Sequence, residues 1–225
     1  MSESSRFVYL VTSATILLAT GVLYALKPML FRYFLGTLNP ILIVSIIVIL
    51  GFLLLDGLKQ FGFLVYRSGA FFESLKVMSL SLVLSLIMVI LDITAKLPED
   101  INVVFPFSTL YYPVFGFIVE IVFHLMPLFL ILLVVNRVSV IDERVMFGCL
   151  VLVSFLEPFF QLGLGFSSQI PLWATVYVGL NIFLINIIQL CTFRRFGFAP
   201  MFTFRLFYYL FWHIIWGSIR LGYLF

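Results

Sequence analysis

The residues of this chain that could do chemistry sit where a chain this apolar should have none. In "FGFIVEIVFHLMPLFLILLVV", residues 115–135, Glu120 and His124 stand one helical turn apart within an otherwise apolar run. At i,i+4 spacing they share a helix face. A carboxylate so placed can take a proton from water, and an imidazole can hydrogen-bond the charge that develops on a carbonyl oxygen. Glu157 and Gln161 repeat the spacing in "FLEPFFQLG", where Pro158 also frees a backbone carbonyl and bends the helix. His213 and Arg220, seven apart, share a face further on, and Asn181, Asn186 and Gln189 add neutral hydrogen-bonding groups. The chain has two histidines in all, His124 and His213, and both fall inside apolar runs.

A charge at bilayer depth costs roughly 2.5–3.5 kcal/mol on insertion scales, so such groups face a protein interior or a water-filled cavity and have partners. Counted from the helix ends at 1.5 Å per residue, Glu120 lies roughly 10 Å deep, Glu157 roughly 8 Å, and His124, Asn181 and His213 each roughly 16 Å. A common polar cavity is the economical expectation. Glu120, His124, Glu157 and His213 are its candidate catalytic residues and Asn181 a second donor to an oxyanion. The same two imidazoles and two carboxylates suit zinc or iron, although no H-E-x-x-H is present, and a metal-free site ranks above that alternative. The competing reading makes Asn181, Asn186 and Gln189 structural and Arg205 and Arg220 snorkelling anchors. The other eight acids, Asp92 among them, fall in tails, loops or helix ends.

The elements that must position these groups are membrane helices. The chain is 225 residues long, 64% hydrophobic and 10% charged, which excludes a soluble domain and leaves length for one helical bundle. Apolar runs at about 7–26, 40–55, 77–92, 113–135, 145–162, 170–193 and 206–224 predict about seven transmembrane helices in an all-α, multi-pass protein, a single domain over residues 1–225. "MLFRYFLGTL" reads as interfacial, and "KLPEDINVVFPFSTLYYP" as the longest loop. The net charge of +3 comes from few residues, mostly between spans, which is a topology signal and not a nucleic-acid footprint. Nine lysines and arginines fall on the side of the N-terminus and four on the other, which predicts a cytoplasmic N-terminus. Cys149 and Cys191 lie in apolar runs and predict no disulfide framework.

Over residues 113–220 the order of these groups resembles the CAAX protease and bacteriocin-processing family of intramembrane enzymes. That family carries Glu-Glu-x-x-x-Arg in one span, Phe-x-x-x-His in the next and His-x-x-x-Asn or Asp near the end. Here Val119 replaces the first Glu, Glu120 matches the second, and His124 stands where the Arg would be. "VLVSFLEPFF" offers Glu157 and no His, while "APMFTFRLFYYLFWHIIWG" places His213 in the third motif with Gly217 in place of the Asn or Asp. The resemblance implies a glutamic-type endopeptidase hydrolysing a peptide or prenylated membrane substrate through water activated by Glu120, with no cofactor. The departures favour a non-catalytic scaffold, chaperone or substrate-binding relative in contact with the bilayer and a membrane-complex partner. A proton-coupled carrier would also explain buried Glu and His, but no repeat or paired half-helix pattern accompanies them.

The composition predicts that the expressed chain stays with the membrane fraction through alkaline washing and is released only by detergent. A lipid-free, soluble monomer would overturn the membrane assignment.

Overall fold

The computed structural model describes residues 3–67, 71–163 and 170–225. Every regular element among the described residues is helical: α1 (Glu3–Leu26), α2 (Met29–Leu35), α3 (Pro40–Leu58), α4 (Phe71–Ala95), α5 (Ser108–Val119), α6 (Met126–Val138), α7 (Glu143–Ser154), α8 (Leu156–Gly163), α9 (Leu172–Phe196), α10 (Phe198–Tyr209) and α11 (Gly217–Leu224). A π-helical turn, Glu120–Leu125, joins α5 to α6, and a second, Leu210–Trp216, joins α10 to α11. Six helical runs are long and apolar enough to cross a membrane: Glu3–Leu26, Pro40–Phe61, Glu73–Ala95, Ser108–Val138, Glu143–Gly163 and Leu172–Phe196. The seventh expected run is present as the continuous helical stretch from α10 through α11, where Arg205, His213 and Arg220 dilute the apolar character. The chain is thus an all-α, multi-pass membrane bundle.

Helix starts follow local chemistry. Asn39 caps α3, its Oδ1 accepting from Ile41 N at 2.9 Å and Leu42 N at 3.3 Å, with Pro40 in the first helical position, where no donor is missed. Asp142 caps α7 by accepting from Val145 N at 2.8 Å. The fourth span begins at Ser108, earlier than residue 113, because Pro113 is tolerated inside the helix. In α4 the buried positions Ser74, Met78, Ser81, Leu84, Ser85, Met88, Leu91 and Asp92 recur every three or four residues and form one face. Small serines on that face let α10 lie close, and Ser85 Oγ reaches Tyr208 O at 3.3 Å.

Helices α9 and α10 occupy the middle. Of the six runs, α9 buries the largest share of its apolar window, 50%, as befits a helix with neighbours on both sides. It packs against α4, α7, α8 and α10, while α10 packs against α4, α5 and α9. Helix α1 covers α3 and α5, tied by Tyr9 Oη donating to Val48 O at 2.7 Å. The sharp turn from α9 into α10 uses Gly197 at φ +105°, and a Cβ there would lie 2.8 Å from Val65 O. That proximity lets Leu64 O and Val65 O accept from Phe198 N and Ala199 N at 3.0 and 2.9 Å, satisfying first-turn donors that have no partner within the helix.

Arg220 corrects a sequence expectation, since it is fully buried and not snorkelling. Asp92 lies near the end of α4, as expected, and is fully buried as well. Arg220 donates to Asp92 through Nε at 2.7 Å and Nη2 at 2.9 Å, and its remaining N–H groups reach the carbonyls of Leu97, Pro98 and Glu99 at 2.7, 3.0 and 3.0 Å. Asp92 also accepts from Trp216 Nε1 at 2.7 Å and Leu97 N at 3.0 Å. This pair fastens α11 and the loop after α4 together with no polar group left over on either side chain. Removing one partner of such a pair costs about 3–5 kcal/mol. Asp92→Asn is therefore expected to lower unfolding stability in mixed micelles by about that amount, and Arg220→Lys to fall short of wild type because an ammonium cannot form the two-pronged contact. Wild-type stability in both variants would refute the assignment.

Candidate functional site

Glu120, His124 and Glu157 do come together, and what gathers them is Arg205, which sequence spacing assigned to the membrane surface. Arg205 is 2% exposed, Glu120 and His124 0%, and Glu157 3%, so the group is sealed within the bundle. Arg205 Nε donates to Glu120 Oε1 at 2.6 Å, Nη2 to Glu157 Oε2 at 3.0 Å and Nη1 to Glu157 Oε1 at 3.2 Å. Its remaining contacts are Nη1 to Tyr209 Oη at 3.1 Å and Nη2 to Asn186 Oδ1 at 3.5 Å. One guanidinium thus bridges two carboxylates from two different spans.

Each neighbour arrives for a local reason. The π-helical turn that carries Glu120 and His124 ends two residues before Pro127, whose ring would collide with the Phe123 carbonyl in an α-helical turn. The wider turn keeps Glu120 and His124 on one face, with His124 Nδ1 2.9 Å from Glu120 Oε2. That contact is close but lacks the alignment of a hydrogen bond: Glu120 Oε2 and both imidazole nitrogens have no hydrogen-bond partner. His124 Nε2 lies 3.9 Å from Glu157 Oε2, beyond hydrogen-bond reach. On the next span Pro158 has no N–H for the carbonyl of Ser154, four residues back, and Asn186 Nδ2 donates to that carbonyl at 3.2 Å instead. Asn186 therefore both repairs the break between α7 and α8 and approaches Arg205. Gln161 Nε2 donates to Glu157 Oε1 at 2.8 Å, as the i,i+4 spacing led one to expect. Gln189 donates to Glu120 Oε1 and, more weakly, to Met201 O at 3.4 Å.

Two candidates lie elsewhere. Asn181 donates to Leu84 O at 3.2 Å and accepts from Tyr208 Oη at 3.3 Å, so it ties α9 to α4 and α10 and does not face Glu120. His213 stands against Asn102 of the loop before α5, Nδ1 to Oδ1 2.5 Å, and stacks on Tyr112 at 4.2 Å between ring centroids. Tyr209 is the link between the two places: its hydroxyl meets Arg205, and its ring lies 5.1 Å from that of His213. The sequence signals that could have found Arg205 were weak. It lies eight residues before His213, on the same side of the helix, but a lone arginine near a span end reads as an anchor.

Of the four residues in the zinc alternative, Glu120, His124 and Glu157 come together around Arg205, while His213 lies against Asn102. No group of three His, Cys, Asp or Glu among the described residues is arranged to hold a metal ion. No family model matches the chain, and no curated protein or solved structure matches it.

Arg205→Met should leave two carboxylates facing each other in a sealed interior and cost about 3–5 kcal/mol of stability in micelles. Adding Glu120→Gln and Glu157→Gln removes both charges and is expected to restore most of the loss. A triple variant no more stable than the single one would show that charge pairing does not hold the cluster.

Proposed function

We propose that the chain is a membrane-embedded scaffold or substrate-binding protein, a non-catalytic counterpart of the CAAX protease-like intramembrane peptidases. The observation that carries this reading is the double engagement of Arg205. A general base needs an oxygen that a water molecule can reach, whereas Glu120 Oε1 and both oxygens of Glu157 are held by Arg205 and Glu120 Oε2 lies fully buried against His124. The cluster then acts as an internal clasp between spans, and the apolar outer faces of the bundle meet lipid or the helices of a membrane partner. The excess of lysine and arginine on the N-terminal side supports a cytoplasmic N-terminus in this reading.

A second reading, the glutamic-type peptidase, is favoured by one specific observation: Glu120 Oε2 and both nitrogens of His124 lack hydrogen-bond partners. In that reading Glu120 takes the proton of a water admitted when the bundle opens, the water oxygen adds to the peptide carbonyl, His124 hydrogen-bonds the resulting oxyanion, and as the oxyanion re-forms the carbonyl the C–N bond breaks while Glu120 gives its proton to the leaving amine. The substrate would be a peptide or prenylated membrane protein.

Reconstituted wild-type protein and Glu120→Gln, offered a prenylated peptide and a transmembrane peptide, separate the two. The clasp predicts no cleavage by either protein and a lowered unfolding midpoint for Glu120→Gln. Cleavage by wild type that disappears in Glu120→Gln at unchanged stability would establish the peptidase instead.

A further inference from the structure

We infer that Asn102 is a positioning residue for His213, fixing its imidazole in the Nδ1–H form and leaving Nε2 as a hydrogen-bond acceptor for a ligand or water that carries an N–H or O–H. His213 Nδ1 is 2.5 Å from Asn102 Oδ1. An amide oxygen can only accept, so the neutral ring must place its proton on the nitrogen that faces it. The same oxygen has a second contact, while Asn102 Nδ2 has no hydrogen-bond partner. Tyr112 Oη already accepts from Val103 N at 2.9 Å, and its own proton points to the same Asn102 oxygen at 3.3 Å.

The place for Asn102 is made by an absence of side chain on the helix. A Cβ on Gly217 would lie 3.2 Å from Cβ, Cγ and Nδ2 of Asn102, so the amide occupies the space one turn beyond His213 that any larger residue would claim. Two tyrosines that also touch each other fix the imidazole plane. Tyr112 stacks on it at 4.2 Å with 19° between planes, and Tyr209 meets it edgewise at 5.1 Å. Asn102, Tyr112 and Gly217 therefore determine both the orientation and the tautomer of a histidine one ring away from Arg205. No described residue supplies a hydrogen-bond partner for His213 Nε2, which remains available. The inference holds under either reading of the Glu120 cluster, since it concerns what His213 offers and not whether a bond is cleaved.

Nitrogen NMR of the histidine-labelled protein in micelles tests it, because the chain has only two histidines and His124→Gln assigns the signals. At a pH where the ring is neutral, His213 is expected to show a protonated Nδ1 and an unprotonated Nε2. Asn102→Ala should shift the signals toward the Nε2–H form or a mixture, Gly217→Ala should shift them the same way by crowding the amide, and Asn102→Asp should keep Nδ1 protonated. Thermal melts of the same samples show whether each variant is folded. An Nε2–H form in the wild type, or an unchanged spectrum in folded Asn102→Ala, overturns the proposal. If Asn102→Ala does not fold, the wild-type tautomer and Gly217→Ala decide.

Discussion

A guanidinium buried among membrane helices is tolerable only when every N–H has an acceptor and its charge is met by an opposite charge at contact distance, and Arg205 imposes that condition on the centre of this bundle. The condition recruits groups from separate elements: Glu120 from the turn after α5, Glu157 from α8, Asn186 from α9, and Tyr209 from its own helix. None of these groups can move away alone, because each departure would strand an unpaired polar atom in a medium without water. Helices that would otherwise slide on interchangeable apolar faces are thereby held in one register. Asp92 and Arg220 apply the same constraint between the C-terminal end of α4 and α11, with the carbonyls of Leu97, Pro98 and Glu99 completing the set.

The irregular backbone of the core serves these contacts. Both π-helical turns carry polar residues: Glu120 and His124 on one, His213 on the other. A wide turn places side chains off the regular helical stripe, and such turns recur where function or close packing needs an unusual direction. The break at Phe155, between α7 and α8, comes before Pro158, and the carbonyl it leaves is met by an asparagine from a neighbouring span. At that break a backbone departure and a polar side chain are paired: the interrupted helix ladder is met by the amide of Asn186.

Fold class was readable because apolar run length is a local property. The i,i+4 relations of Glu120 with His124 and of Glu157 with Gln161 follow from helical geometry alone, and both survive in three dimensions. What sequence did not disclose is which faces of different helices meet. Arg205 and Arg220 look like interface anchors from their positions, and Asp92 like a helix-end acid, because the carbonyls and carboxylates that enclose them come from elements distant in sequence. Asn102 is the sharpest instance. Within a loop rich in turn-forming residues an asparagine carries no signal, and only the space left by Gly217 identifies its role.

The two carbonyls that cap α10 bear on how the chain is made. Leu64 and Val65 emerge from the ribosome long before Phe198 and Ala199, so the linker between α3 and α4 spends most of synthesis with its carbonyls waiting for a partner that has not been built. The last long helical run then enters a bundle whose receptor edge is already laid down, and it brings Arg205 to carboxylates that have been inserted without their counter-charge. Biogenesis therefore has a vulnerable interval, after the sixth span and before the final one docks, in which an insertase or chaperone that shields a polar groove would have the most to do.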